Sequence, residues 1–303
     1  MSATADVQSP SVQVTGPSAL GGDFKRFVYL SVTLAATDFK LRFFGSALGY
    51  FWQLMRPLLL FGVLYFVFTE FVKVGSAVTF YPVVLLSNIL LFTFFMDGTG
   101  AVSSVVDREG LVRKIQFPRM AIPVSTVLMA AMNLTLNSAV ILVFALASGV
   151  RPQVGWLEIP VLLGLLTLLT LGLAMLLSAA YVRYRDVRPI WEVALQLLFY
   201  ATPVIYALET IDVSGTIRQL LALNPLAMIL QQFRHAVIDP SAPSAAEMAG
   251  GAAYLAVPLG IIAAALGASG SITAWRNCCR IIASGLSAST SRTESGTSIV
   301  SSA

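Results

Sequence analysis

Long apolar runs, separated by short polar and often basic intervals, fill the chain from residue 24 to about residue 268. Crossing a bilayer core takes roughly 20 mostly apolar residues in a helix. Six runs meet or approach that length: Leu48–Val72, Tyr81–Val106, Ile122–Ala147, Trp156–Val182, Ile190–Tyr206 and, if flanking residues join it, Tyr254–Ala268. The pattern therefore predicts an all-α membrane protein with six transmembrane helices. Ahead of the first run, Phe24, Phe27, Val28, Val32, Ala35 and Phe39 recur on one helical face, with Lys25, Arg26, Thr33, Thr37 and Lys40 opposite. Five charged residues between Lys25 and Arg42 make a crossing expensive there, so this segment is expected to be an amphipathic helix lying in the interface.

The intervals are as informative as the runs. Residues 107–119, DREGLVRKIQFPR, are too charged for hydrocarbon and end beside Pro118, which restricts Phe117. A second basic group, YRDVR at Tyr184–Arg188, precedes the fifth run. Between the fifth and sixth runs lie two short amphipathic patterns, Ile217–Leu221 and Leu226–Val237, broken by Asn224-Pro225. Neither can span, and Arg218, Gln231, Gln232, Arg234 and His235 fit either a re-entrant or a surface helical hairpin before the last helix. If the amino terminus is cytoplasmic, fifteen of the nineteen Lys and Arg residues fall on the cytoplasmic side, and an even number of spans returns the carboxyl terminus there too.

Composition agrees: 57% of the 303 residues are hydrophobic, 11% are charged, and mean hydropathy is +0.81. A soluble domain carries roughly 25% charged residues. The net charge of +4 is dispersed between apolar runs, which argues for membrane topology and against nucleic acid as a partner. Cys278 and Cys279 are adjacent and form neither a disulfide framework nor a spaced metal site. Residues 1–22, rich in Ser, Thr, Pro and Gly, read as a disordered tail, residues 23–276 as the transmembrane domain, and residues 277–303 as a low-complexity tail.

Catalytic signals are missing. The sequence has no G-x-x-x-x-G-K-[ST] loop for nucleotide phosphates, no G-x-S-x-G elbow and a single histidine, His235. The chain is thus expected to bind no cofactor or metal and to be no enzyme. Few charges sit inside the runs. Asp97, ahead of Gly98 and Gly100, reads as a cap at a helix break, the alternative being a proton site, and Glu192 lies one turn from Arg188, with which it can pair. Aromatic residues crowd the first and fifth runs. Trp52, Phe61, Tyr65, Phe68, Phe199, Tyr200 and Tyr206 could stack on sugar rings in a channel or serve as interfacial anchors. Arg42 and Arg56 could attract an anionic headgroup or simply snorkel.

Four stretches resemble the permease subunits of ABC-type polysaccharide exporters, the family that exports O-antigen, teichoic acid and cell-wall galactan precursors. They are LGYFWQLMRPLLLFGVLYFVF at Leu48–Phe68, RKIQFPRMAIP at Arg113–Pro123, YRDVRPIWEVALQLLFYATPVIY at Tyr184–Tyr206, and the LNP element at Leu223–Pro225. Their order and spacing carry the resemblance, which covers about residues 24–268. It implies a homodimer in the bacterial cytoplasmic (inner) membrane, each copy seated on a separate ATPase subunit that binds ATP and Mg, and a lipid-linked polyprenyl-pyrophosphate glycan as cargo. It also implies that Asp107, Arg108, Glu109, Arg113, Lys114, Phe117, Pro118 and Arg119 form the loop that couples to the ATPase. The cluster Arg183, Arg185, Asp186 and Arg188 would face the same partner or the substrate pyrophosphate, with Arg42 and Arg56 at the entrance. A drug or small-lipid exporter, or an ion-coupled carrier, remains the alternative. Beyond Ala268 the chain leaves the family pattern for a Ser-, Ala- and Thr-rich stretch, a divergent tail or a shifted reading frame.

Overall fold

The computed structural model describes residues 24–43, 49–73, 78–104, 120–206, 224–249 and Gly260, and among these residues every regular element is helical. In chain order they are α1 (Phe24–Phe43), α2 (Gly49–Phe66), α3 (Tyr81–Thr99), α4 (Ala121–Ala147), α5 (Ile159–Arg183), α6 (Val187–Ala201), α7 (Pro225–Phe233) and the short α8 (Ala245–Ala249). Single π turns extend α2 (Val67–Phe71) and α7 (Arg234–Ile238), and 3₁₀ turns follow α3 (Gly100–Ser103) and precede α5 (Val154–Glu158). Four stretches are long and apolar enough to cross a membrane: Phe51–Phe71, Tyr81–Thr99, Ala121–Ala147 and Val154–Tyr181. They correspond to the first four expected spans. The sixth expected span, the first arm of the hairpin and both tails lie outside the described residues.

Aromatic and apolar contacts fix the helix directions. Phe144, at the end of α4, meets Phe61 of α2 edge-on at 5.9 Å, and Phe61 stacks on Tyr65, which stacks on Tyr81 at the start of α3. The end of α2, the start of α3 and the end of α4 therefore share one end of the bundle. At the other end, Met120, just ahead of α4, and Ala121 cluster with Met175 of α5 and Phe27 of α1. The four long helices thus run alternately up and down. Helix α3 is the centre: Leu85, Leu86, Ile89, Leu90, Leu91, Phe92 and Phe95 are almost fully buried, whereas nearly all of α2 is open. A helix that is apolar all round and buried is what a bundle core requires.

Gly98 explains how α3 can sit so close to α5. A Cβ there would collide with the side chain of Thr170, so only glycine permits this approach at the last turn of α3.

Helix α1 lies across the end of the bundle where α4 begins. Its Phe27 packs on Met120 and Ala121, while Arg42, four turns later, acts electrostatically on Asp97 in the last turn of α3. The expected single apolar face is in fact divided. Phe27, Ser31 and Ala35 turn inward, while Phe24, Val28 and Val32 stay exposed beside them. Small side chains decide this: Ala35 and Ser31, whose hydroxyl donates to the Phe27 carbonyl at 2.9 Å, let α1 approach α4 closely.

The fifth expected span is the main departure. Helix α6 has only 15 residues, about 22 Å at the usual rise, and stops at Thr202 because Pro203 has no amide and forces the preceding residue into an extended conformation. Residues 202–206 then continue as irregular chain that is nonetheless buried at Thr202, Val204 and Ile205.

Candidate functional site

Three groups of polar side chains interrupt the apolar interior, and each sits where the backbone itself is irregular. The first anchors residues 202–206. Asn88, midway along α3, donates from Nδ2 to the carbonyls of Pro203 (3.2 Å) and Val204 (3.1 Å). The Tyr81 hydroxyl donates to the Ile205 carbonyl at 3.0 Å. Asn224 donates to the Thr202 hydroxyl at 3.0 Å and, as the N-cap of α7, accepts from the Leu226 amide at 3.1 Å, with Pro225 in the first turn. Non-helical backbone at membrane depth is tolerated only where protein satisfies it, and these three side chains do so. None of the three was singled out from sequence for this role. The signal available was a polar residue, Asn88, inside an otherwise apolar helix.

The second group holds α7 and its π turn under the start of α5. The Gln153 side chain donates to the Ala236 carbonyl (3.1 Å) and Trp156 Nε1 to the Val237 carbonyl (3.0 Å). Gly155 lies so close to the Ala236 backbone that a Cβ would collide with its carbonyl. This arm of the hairpin is buried almost throughout, which removes the surface alternative for it. The polar residues that suggested exposure turn back onto the following chain. Gln231 donates to Pro243, Gln232 donates to Glu158 and accepts from the Ala245 amide, and His235 Nδ1 lies 2.7 Å from the Ala242 carbonyl. Arg234 is buried as well.

The third group lies at the opposite end, where α1, α2 and α3 converge. The Gln53 side chain, Arg42 and Arg56 lie near enough to the Asp97 carboxyl to act on it. Asp97 is therefore no cap. It stands in the last turn of α3, where free carbonyls rather than free amides are exposed, so a carboxylate has nothing to accept from the backbone there. Pro57 adds to the local negative potential, because its missing amide leaves the Gln53 carbonyl without its usual helical donor. Both arginines are exposed, Asp97 and Gln53 half-buried.

The remaining expected residues separate by their surroundings. In the basic cluster, Arg183 donates to the Tyr184 hydroxyl at 3.0 Å, Arg185 lies over the Tyr181 ring, and Arg188 pairs with Glu192 at 3.2 Å, as expected from their spacing. Asp186 is exposed at the start of α6. Of the seven aromatics, Phe61, Tyr65, Phe68, Phe199 and Tyr206 pack against this chain's own core. Phe199 meets Phe92 edge-on at 5.1 Å. Trp52 and Tyr200 are two-thirds exposed, at 67% and 68%. Asp107, Arg108, Glu109, Arg113, Lys114, Phe117, Pro118 and Arg119 lie outside the described residues. Among the described residues no group of His, Cys, Asp and Glu could hold a metal.

Comparison with known proteins assigns this architecture. Residues 29–238 match the family described as "ABC-2 type transporter". The chain is similar to an "O-antigen export system permease protein RfbA" of Myxococcus xanthus, with 30% identity over 217 residues, 71% of this chain and 83% of the relative. A protein of the same description from Klebsiella pneumoniae is 28% identical over 207 residues, 68% of this chain and 78% of the relative. Both agree with the resemblance carried by the four motif stretches. The family match begins inside α1 and ends at the last residue of the π turn after α7, so it spans the three polar groups except for the partners at Ala242, Pro243 and Ala245.

Proposed function

The chain belongs to the ABC-2 type transporter family, and from that premise we propose that it is the permease of an ATP-driven exporter that moves a lipid-linked polysaccharide from the cytoplasm across the inner membrane. The observation that carries this reading is the likeness to O-antigen export permeases over more than two-thirds of the chain. On this reading ATP is bound with Mg and hydrolysed on two copies of a partner ATPase, and the permease makes no covalent change itself.

The parts then take definite roles. The end of the bundle that carries α1, Arg42, Arg56, Asp97 and the Arg183–Arg188 cluster faces the cytoplasm, as the distribution of basic residues favours, and both termini lie on that side. Helix α1 rests in the interface with Phe24, Val28 and Val32 toward lipid. Residues 107–119 couple to the ATPase. Six spans per subunit are completed by α6 together with residues 202–206 and by the segment near residues 254–268. Two copies pair so that the open apolar face of α2, with Trp52, and the open face of α6, with Tyr200, border the path of the glycan. Aromatic faces suit sugar rings, which present apolar C–H faces and need no fixed hydrogen-bond register. Arg42 and Arg56 draw the pyrophosphate of a polyprenyl-linked glycan to the entrance by charge-assisted hydrogen bonds.

Depletion of the chain in its host tests this reading directly. Lipid-linked glycan should accumulate on the cytoplasmic side, and the affinity-purified permease should bring with it an ATPase carrying a P-loop. A depleted strain with unchanged glycan on both faces, together with purification free of any ATPase, refutes it.

A further inference from the structure

Helix α7 is fastened at both ends, and to two different helices. At its start, Asn224 donates to the Thr202 hydroxyl at 3.0 Å, and the chain that follows Thr202 hangs on α3 through Asn88 and Tyr81. At its far end, the carbonyls of Ala236 and Val237 accept from Gln153 (3.1 Å) and Trp156 Nε1 (3.0 Å), in the turn that leads into α5. Carbonyls in the last turn of a helix have no amide of their own helix left to accept from, so these side chains complete the π turn. Gly155 lies against Ala236 with no room for a Cβ, and Gln232 donates to Glu158, the N-cap of α5, at 2.9 Å. Between the two ends, Leu226, Ile229, Leu230 and Phe233 fill the same apolar core as α3 and α5.

Helices α3 and α5 also touch each other directly, where Gly98 in the last turn of α3 meets Thr170. Thr170 lies about 18 Å along α5 from Glu158 at the usual rise per residue. One contact would let the two helices pivot about it, whereas two contacts that far apart do not. We infer that α3, α5 and α7, with residues 202–206, form one rigid block that keeps its internal geometry through the transport cycle. Helix α7 is then a cross-bar in the outer half of the block, and it does not lift from α5 as a flap. Moving the bar would strand the carbonyls of Pro203, Val204, Ile205, Ala236 and Val237 together, all in buried residues where water cannot replace the lost donors. The inference rests on the ATP-driven cycle proposed above, and it confines opening of the glycan's path to helices outside the block.

The permease co-purified with its ATPase, in lipid nanodiscs, allows the test once Cys278 and Cys279, the only cysteines, are changed to Ser. Glu158→Cys and Gln232→Cys then place two thiols where those side chains meet, and a short bis-methanethiosulfonate bridges them. Cross-linking rates should agree to within about twofold without nucleotide, with ATP, and with ADP and vanadate, and the cross-linked complex should still hydrolyse ATP. Spin labels at Met96→Cys near the end of α3 and Leu157→Cys before α5, both exposed positions, report on the other pair of helices. With labelled chains diluted among unlabelled ones, their separation should hold to within about 2 Å across the same states, well below a one-turn ratchet of one helix past another. This second pair also serves where the first double variant does not assemble. A larger divergence in either measurement, or a cross-link that halts hydrolysis, overturns the rigid block and leaves the export reading standing. Absence of cross-linking in every state overturns it as well, since the two side chains then do not meet. A purified permease that brings no ATPase refutes the export reading, and the block as part of its cycle falls with it.

Discussion

Replacing Asn88 by Leu removes the clamp on residues 203 and 204 while keeping the same branched heavy-atom shape, which makes it the sharpest test of why α6 ends where it does. Two hydrogen bonds are lost, to carbonyls of Pro203 and Val204 that lie in a buried segment. Buried carbonyls left unpaired in a soluble core cost about 1–3 kcal/mol each, but hydrogen bonds between membrane helices average only about 0.6 kcal/mol. The membrane value is the relevant one, since the unfolded reference state is also lipid-bound, and two such bonds give a loss of roughly 1–2 kcal/mol. A partial offset enters, because Asn88 Oδ1 has no hydrogen-bond partner among the described residues and Leu has no such atom to strand. No cavity is opened, and the bulkier Leu adds any overpacking cost to the same side of the balance. Reversible unfolding in mixed detergent and SDS micelles gives the free energy. Ser87→Ala serves as control: Ser87 is equally buried, but its hydroxyl donates only within α3, to Val83 at 2.7 Å, so its loss should stay below about 0.5 kcal/mol. If Asn88→Leu matches Ser87→Ala, the segment is held by something other than this clamp and the account of the broken helix is wrong.

Other consequences can be checked the same way. Gly155→Ala drives a methyl into the Ala236 carbonyl, a backbone group that cannot rotate away, and should destabilise by about 2 kcal/mol or more and lower the yield of folded protein; a neutral effect would mean the two segments are farther apart than described. Asn224→Ala removes both the N-cap of α7 and the link to Thr202, with an expected loss of roughly 1–2 kcal/mol in unfolding, whereas Asn224→Asp, which keeps the cap acceptor, should recover about half. Arg188→Gln breaks an exposed pair with Glu192 and should cost no more than about 0.5 kcal/mol. A fall in ATP hydrolysis without loss of stability in that variant would point instead to contact with the partner subunit. Trp156→Phe keeps the ring but loses the donor to Val237, so thermal melting should fall modestly, by about 1 kcal/mol in free energy, with the protein still folded.

Where hydrophobic run length carried the argument, sequence and structure coincide closely. Leu48–Val72, Tyr81–Val106, Ile122–Ala147 and Trp156–Val182 became long helices whose bounds differ by a few residues, because the demand for an apolar helix of bilayer length is local and additive along the chain. The Arg188–Glu192 pair was legible for the same reason, four residues on one helix being neighbours whatever surrounds them. The fifth run gave a helix shorter than its hydropathy suggested, because hydropathy does not see that Pro203 ends the helix inside a segment that remains apolar and buried.

The sequence by itself determined that this is a membrane protein of apolar helices. Its motif series determined the family. Only the tertiary structure decided which apolar faces meet protein: nearly all of α3 is enclosed, whereas α2 packs one side, with Leu58, Phe61, Leu64 and Tyr65, on the core and leaves the other open, although both are comparably hydrophobic. It also decided the partners of the rare polar groups. Asp97 meets residues 41 to 55 positions away, and Asn88 meets carbonyls 115 and 116 positions away. Run length and periodicity are short-range properties of a chain in lipid. Which buried amide or carboxylate finds which partner depends on helix packing at distances along the chain that no local pattern encodes, and that is where this protein's candidate chemistry lies.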